Sequence, residues 1–193
     1  MARHVEFDRT KALDQAMHTF WYQGYTATSV DDLTRAMGIK PGSLYNTFKD
    51  KHTLFLETLN RYQATDGACL FQALVESPPG REAIHTLFAG LVDQIVMDRV
   101  GRGCFMLNST LELAAHDPAV AALAAEATHM GEGLFRRAIE GGQAAGEIST
   151  AQSADDLARF LMATVKGLQS TGKVTRERHL LEATVQVALS VLD

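Results

Sequence analysis

The chain has 193 residues, of which 46% are hydrophobic and 21% are charged, proportions that are typical of a globular protein and exclude a disordered one. Because no apolar run reaches the roughly 18 to 20 residues of a transmembrane helix and no apolar secretion signal begins the chain, we expect a cytoplasmic protein with no membrane partner. The net charge of −5 arises within residues 61–193, whereas residues 1–60 carry seven basic and seven acidic side chains, so only the N-terminal third is suited to contacting nucleic acid.

Apolar residues recur at three- and four-residue spacing along almost the whole chain, which predicts an all-α fold. The first helix is expected to begin near Asp8, a good N-cap residue, and to end at Gly24. A short second helix follows Ser29, whose spacing to Asp32 is that of a capping box. Gly38 is expected to end this helix, because glycine allows the tight turn that follows.

The third helix is expected to begin at Pro41, since the missing N–H of proline would be unpaired at the first helical position in any case. A fourth helix follows Asp50, and its pattern predicts that it continues to about Val75. The sequence Ser-Pro-Pro-Gly at residues 77–80 then forms the clearest break in the chain, because two prolines and a glycine do not continue a helix.

Glycine, proline and cap residues divide the rest of the chain into five more helices, which gives about nine in total. These helices are expected from Arg81 to about Arg99, from Cys104 to Asp117, from Pro118 to Gly141–Gly146, from Ser153 to Gly172 and from Thr175 to about Leu192.

Residues 28–48 predict a helix-turn-helix, the motif whose second helix lies in the major groove of DNA. The apolar positions that pack its two helices together are Val30, Leu33, Met37, Ile39, Leu44 and Phe48. The exposed positions of the second helix offer hydrogen-bond donors and acceptors that suit bases and phosphates. These positions are Lys40, Gly42, Ser43, Tyr45, Asn46 and Thr47.

The same region follows a longer pattern, F-x-x-x-G-Y-x-x-T-S-V and then L-x-x-A-x-G-I-x-x-G-S-L-Y-x-x-F-x-x-K. The positions that match are Phe20, Gly24, Tyr25, Thr28, Ser29, Val30, Leu33, Ala36, Gly38, Ile39, Gly42, Ser43, Leu44, Tyr45, Phe48 and Lys51. With this pattern the first 60 residues resemble the DNA-binding domain of the TetR family of transcriptional regulators. The resemblance implies a three-helix DNA-binding domain over residues 1–52 and a larger helical effector-binding and dimerisation domain over residues 53–193.

The resemblance also implies roles for individual residues. Tyr45 and Lys51 would hold DNA phosphates, although the alternatives are a packing role for Tyr45 and a solvated charge for Lys51. The full set of expected DNA-binding residues is Thr28, Ser29, Lys40, Pro41, Gly42, Ser43, Tyr45, Asn46 and Lys51. Asn46 and Thr47 stand where many family members carry aromatic or histidine residues, so the operator sequence does not follow from the resemblance.

The C-terminal helices supply candidates for binding an effector and for dimerisation. Candidate pocket residues are Phe71, Phe88, Ile95, Phe105, Asn108, Glu112, Met130 and Phe135, although apolar stripes of this kind more often belong to a plain core. The candidate dimer interface comprises Leu161, Val165, Leu168, Leu181, Val185, Ala188 and Leu192 on the last two helices. A homodimer would suit double-stranded operator DNA with two half-sites.

Two cysteines, Cys69 and Cys104, show no CxxC spacing, and the histidines show no metal-ligand spacing, so no disulfide, metal or cofactor is expected. Cys104 follows Arg102 at a helix start, which favours a reactive thiolate, whereas a plain packing role is the alternative.

We therefore expect a repressor that a small-molecule effector releases from its operator. Two alternatives remain, a sensor of oxidants or electrophiles that acts through Cys104 and a DNA-binding regulator without an effector. An enzyme is not expected, since the chain contains no GxSxG, HExxH, P-loop or dinucleotide-binding motif.

Overall fold

The computed structural model describes residues 7–193, and this part of the chain is all-helical, as the periodicity predicted. Ten α-helices follow one another and end in a short 3₁₀ helix, Ser190–Leu192. The helices are α1 (Arg9–Gln23), α2 (Val30–Met37), α3 (Pro41–Phe48), α4 (Lys51–Ala64), α5 (Asp66–Glu76), α6 (Arg81–Met97), α7 (Phe105–Leu113), α8 (Pro118–Ala144), α9 (Ala154–Thr171) and α10 (Arg178–Leu189).

The N-terminal helices begin and end where their local signals predicted. The Asp8 carboxylate accepts a hydrogen bond from the Lys11 N–H, and Ser29 and Asp32 form a complete capping box at the start of α2. Gly38 ends α2 with a φ of 67°, a left-handed conformation that glycine adopts without steric cost. These caps satisfy backbone groups that a helix end otherwise leaves unpaired.

The helix expected to run from Asp50 to Val75 is divided into α4 and α5 at Thr65. Thr65 leaves the helical conformation, with φ −122° and ψ −98°. Its hydroxyl donates to the Arg61 carbonyl oxygen at 2.8 Å and lies 3.2 Å from the Asp66 carboxylate. This break turns the chain, so that α5 packs on α6 and α8 rather than extending α4 into solvent.

Most buried apolar side chains fall into two clusters. The first holds α1 to α4 together and also includes Phe105, Met106, Val120 and Ala124 from α7 and α8. The second is formed by α5, α6, α8, α9 and α10. The packing of the N-terminal helices thus continues past residue 52 into the larger C-terminal part.

Candidate nucleic-acid interface and effector cavity

Helix α3 is short, and two buried side chains hold it in place. Leu44 and Phe48 are 0% and 1% exposed, four residues apart on one face of the helix, where they join the N-terminal core. Pro41 occupies the first turn, and the helix lies between α2 and α4. The opposite face of α3 therefore points outward in a fixed orientation.

Most of the residues predicted to bind DNA lie on this outward face or next to it. Ser29, Lys40, Pro41, Gly42, Tyr45 and Asn46 are exposed, and Ser43 is half-buried. The Tyr45 side chain is 49% exposed, and its hydroxyl makes no hydrogen bond with residues 7–193. A surface of this kind offers amide, hydroxyl and ammonium groups to the edge of a groove.

Thr28 is the exception among the predicted DNA contacts. Its side chain is 1% exposed, and its hydroxyl donates to the carbonyl oxygen of Gly24 at 2.6 Å. The neighbouring Ser29, rather than Thr28, caps α2. The geometry does not support the predicted DNA contact of Thr28, because the turn after α1 uses this buried hydroxyl for its own backbone.

Lys51, predicted to hold a phosphate, begins α4 next to the aromatic ring of Tyr25. Its ammonium nitrogen lies 4.3 Å from the centre of that ring, within the range of a cation–π contact. Burial lowers the pKa of Lys51, and the nearby Glu112 carboxylate opposes this effect. The ammonium group is thus held beside α3, and phosphate binding remains a prediction for it.

Glu112 was predicted to line a pocket, but it lines neither of the two cavities described below. It joins the C-terminal body to the DNA-binding helices instead. Its carboxylate accepts hydrogen bonds from the backbone N–H groups of Tyr25 at 3.0 Å and Thr26 at 2.7 Å, in the turn between α1 and α2. Burial raises the pKa of Glu112, but these hydrogen bonds and Lys51 outweigh that effect and lower it overall. Glu112 follows these residues by more than 80 positions, so no local pattern indicates the contact.

Two other contacts reinforce this junction. The imidazole of His52, at the start of α4, lies 2.7 Å from the carboxylate of Asp117, the N-cap of α8. The indole N–H of Trp21 donates to the carbonyl oxygen of Gly103, before α7, at 3.0 Å. Cap signals identified Asp117, whereas its imidazole partner had no sequence signal.

Replacing Glu112 with alanine is expected to lower the free energy of unfolding by about 1 kcal/mol at pH 7, because two backbone donors lose a partly exposed carboxylate. Since the pKa of Glu112 is lowered in the folded state, its contribution is present above the ordinary value of 4.5 and is lost as the pH falls below it. Urea unfolding at pH 7 and pH 3.5 would measure both effects. Glu126→Ala, at an exposed position of α8, is the matched control and should change neither value.

A cavity of about 640 Å³ lies within the C-terminal body, between α4, α5, α7, α8 and α9. Its walls are largely apolar and include Leu70, Phe71, Met106, Met130, Leu134 and Met162. Polar groups are few and include Gln63, Thr110, Thr128, Lys166 and Gln169. This combination of apolar walls and a few polar groups is typical of a site for a small molecule.

The lining of this cavity corrects the predicted set of pocket residues. Phe71 and Met130 line it, whereas Phe88 and Phe135 are fully buried in the core. The other predicted residues lie elsewhere. Phe105 belongs to the N-terminal cluster, and Ile95 lines a second, smaller cavity that is described below. The Asn108 amide donates to the Arg102 carbonyl oxygen, and Glu112 lies at the junction with the DNA-binding helices. An apolar helical stripe does not show whether a neighbouring helix or a cavity covers it.

The residues predicted for the dimer interface also lie inside the subunit. Leu161, Val165, Leu168, Leu181, Val185 and Leu192 pack in or against the C-terminal core, and Ala188 is 7% exposed. The outward faces of α9 and α10 carry a different set, Phe160, Ala163, Gly167, Leu180, Ala183 and Val187. The prediction that the first set forms the dimer interface is therefore wrong, because α9 and α10 direct these apolar side chains toward α6 and α8 of their own subunit.

Cys104 is the N-cap residue of α7 and lines both cavities. Its sulfur lies 3.4 Å from the Leu107 N–H and 3.4 Å from the Tyr62 hydroxyl, and both groups donate to it. Burial raises the pKa of Tyr62 well above its ordinary value, so its hydroxyl keeps the proton that it donates. Cys69, in contrast, is exposed on α5.

Family comparisons agree with this architecture. Residues 12–58 match the family described as "Bacterial regulatory proteins, tetR family", and residues 80–188 match "Tetracyclin repressor-like, C-terminal domain". The chain belongs to the TetR family. It is therefore a DNA-binding transcriptional regulator, as predicted, in a family of regulators rather than enzymes.

Individual TetR-family relatives align over nearly the whole chain. The HTH-type transcriptional regulator YezE of Bacillus subtilis is 31% identical and aligns over 100% of both chains. The HTH-type transcriptional repressor ComR of Escherichia coli is 33% identical and aligns over 96% of this chain and 88% of its own. A cysteine mutant of the regulator CifR, solved with 26-base-pair operator DNA, is 32% identical, with a TM-score of 0.86 over 99% of this chain and 100% of its own.

Within residues 7–193, histidine, cysteine and carboxylate side chains form no group of three or more that could hold a metal ion. None of the helices described is both long and apolar enough to cross a membrane.

Proposed function

We propose that this TetR-family protein is a homodimeric repressor whose two α3 helices bind the half-sites of a double-stranded operator. The observation that carries this proposal is the exposed polar face of α3, held in place by buried Leu44 and Phe48. The similarity to ComR, a repressor by name, and to CifR bound to operator DNA supports it.

The first test is binding of the purified protein to the DNA that flanks its own coding region. We expect a specific complex whose affinity falls steeply as salt rises, because Lys and Arg displace counterions from phosphates. Equal affinity for unrelated DNA at every salt concentration would contradict a sequence-specific repressor.

The exposed stripes of α9 and α10 are the proposed dimer interface. On α9 the stripe contains Ala163 and Gly167, whose small size lets a partner helix approach closely. On α10, Val187 is 74% exposed and Leu180 is 46% exposed, and with Ala183 they form an apolar stripe at helical spacing that a partner helix could cover. Two-fold packing of these helices would place one α3 on each side of the dimer.

A small-molecule effector in the larger cavity would control DNA binding through α7. Met106, Leu107 and Thr110 line the cavity, and Glu112 at the other end of the same helix holds the turn between α1 and α2. Any displacement of α7 by a ligand would thus reach the DNA-binding helices directly. Only a ligand with different affinities for the two states can shift the equilibrium between them.

Measurements of melting temperature distinguish a regulator that binds a small-molecule effector from one that binds none. A compound that binds the folded state raises the melting temperature in a concentration-dependent way. If such a compound also releases the operator, the protein is effector-controlled. If none in a broad screen does either, the regulator without an effector is favoured.

A second candidate function is a sensor of electrophiles, favoured by the position of Cys104 at both cavities. The Cys104 sulfur, the atom that would attack an electrophile, lies at the start of α7 within 3.4 Å of two hydrogen-bond donors. In this function the covalent adduct, rather than a bound ligand, would displace α7.

Replacement of Cys104 with serine is expected to abolish the release of operator DNA by N-ethylmaleimide. In this reaction the sulfur bonds to one carbon of the maleimide double bond, the other carbon takes a proton from water, and a thioether results. Cys69→Ser, at the exposed cysteine, is the matched control, and N-ethylmaleimide should release it from the operator as it releases the protein without substitutions. Gel shift with increasing N-ethylmaleimide measures the effect. Equal release in both variants would rule out Cys104 as the sensor.

A further inference from the structure

A second cavity of about 270 Å³ lies next to the larger one, beside Trp21 at the end of α1 and the loop before α7. The two cavities share several walls, which are Tyr62, Asp66, Gln94, Cys104 and Gln169. They are therefore neighbouring compartments of one region of the body. The larger compartment is mainly apolar but also contains Lys166, whose ammonium group donates to the Thr128 hydroxyl, whereas the smaller one is bordered by Asp66, Asp98 and Arg102.

Arg102 is the cationic side chain that lines the smaller cavity. Its guanidinium carbon lies 4.5 Å from the centre of the Trp21 ring, so one face of the group is covered by the indole. Its Nε atom is buried and has no hydrogen-bond partner among the residues described. The only other such buried side-chain atom in this part of the chain is the Nε of Arg176, whose guanidinium lies against Gly101 of the same loop.

The cations around this loop are not neutralised by acidic side chains. Arg102, Lys173 and Arg176 form no ion pair within residues 7–193. Lys173 Nζ donates to the neutral amide oxygen of Asn108 at 2.9 Å, and Arg176 donates to the backbone carbonyl of Arg99 at 3.1 Å. Lys173 and Arg176 lie beside the loop rather than in the lining of the smaller cavity, where the unpaired Arg102 guanidinium is the group that can bind an anion.

Two carboxylates, those of Asp98 and Asp66, also border the smaller cavity, and neither forms an ion pair with Arg102. The oxygens of Asp98 accept the backbone N–H groups of Gly101 at 3.1 Å and Gly103 at 2.9 Å. The Asp66 carboxylate lies 3.2 Å from the Thr65 hydroxyl, whose proton goes to the Arg61 carbonyl oxygen. Neither pairs with Arg102, so the guanidinium keeps its capacity for a carboxylate, which it can bind through two parallel hydrogen bonds.

We propose that the effector of this regulator is an amphipathic carboxylate. Its carboxylate pairs with Arg102 in the smaller cavity, and its apolar body fills the larger one. The inference rests on the proposed effector-controlled function, since it names the chemical class of the molecule that the cavity binds. An unpaired, half-buried guanidinium beside an apolar cavity is the arrangement that selects an acid over the corresponding alcohol.

The test uses three probes with the full-length protein in isothermal titration calorimetry: octanoate, 1-octanol and acetate. We expect octanoate to bind at least ten-fold more tightly than 1-octanol, and acetate to show no binding at the same concentrations. Arg102→Gln should weaken octanoate binding at least ten-fold and leave 1-octanol binding unchanged. Arg99→Gln, at an exposed arginine that lines neither cavity, is the matched control and should bind octanoate normally.

The inference is overturned if octanoate and 1-octanol bind equally tightly or if Arg102→Gln leaves the affinity for octanoate unchanged. It is also overturned if acetate binds as tightly as octanoate or if no probe binds. If Arg102→Gln does not fold, Arg102→Lys and the ratio of the three probes with the unaltered protein decide the question. Operator binding is measured separately without any carboxylate, so a failed inference leaves the result for the DNA-binding function distinct.

Discussion

Replacement of Tyr45 with alanine is expected to weaken operator binding at least about ten-fold, a loss of about 1.4 kcal/mol of binding free energy or more. The Tyr45 ring lies on the outward face of α3, opposite Leu44 and Phe48, and is 49% exposed. Since it packs little within the subunit, the free energy of unfolding should change by less than about 0.5 kcal/mol. Fluorescence anisotropy with labelled operator DNA and a thermal melt would measure the two quantities.

Tyr22→Ala is the matched control for this experiment. Tyr22 is also an exposed tyrosine, at 71%, but it lies near the end of α1 rather than on α3. It should leave both quantities unchanged, and Tyr45→Phe would separate the hydroxyl from the ring. Unchanged operator affinity in Tyr45→Ala would show that this side chain is no part of the DNA interface.

Replacement of Val187 with glutamate is expected to convert the dimer into monomers and to weaken operator binding by a factor of about 100 or more. Val187 is 74% exposed in the subunit, so glutamate is tolerated in the monomer but would bury a charge at the proposed interface. The loss of affinity follows because binding of the second half-site is no longer intramolecular. Light scattering after size-exclusion chromatography measures the mass, and gel shift measures the affinity.

Val100→Glu is the control for this substitution. Val100 is 64% exposed in the loop before α7, outside the stripes of α9 and α10, and should remain dimeric after the same change. If Val187→Glu remains dimeric and keeps its full operator affinity, the exposed face of α10 is not part of the dimer interface.

The DNA-binding helices could be predicted in detail because their signals are local. Ser29 and Asp32 cap α2 within four residues, Gly38 supplies the left-handed turn, and Leu44 with Phe48 marks the buried face of α3. Each signal acts through backbone hydrogen bonds or side chains that are close in sequence. The exposed face of α3 followed from these residues, and the fold class followed from the periodicity of the whole chain.

The body shows where local patterns stop being sufficient. The break at Thr65 combines a side-chain hydrogen bond with the packing of α5 on α6 and α8, and neither is visible in the periodicity of residues 51–75. Likewise, Leu161 and Leu181 satisfy the pattern of an interface, although they contact their own core. Periodicity shows that a stripe is apolar but not which surface covers it.

Local residue patterns were thus enough to predict the all-α class, the helix caps and the outward face of α3. The residues that line the cavity, the free face of α10 and the contact of Glu112 with the turn at Tyr25 and Thr26 could be seen only in the folded chain. The difference lies in how far apart in sequence the interacting residues are. Caps and turns are stabilised by neighbours a few residues away, whereas cavities, interfaces and the contact that joins the body to the DNA-binding helices depend on residues many positions apart.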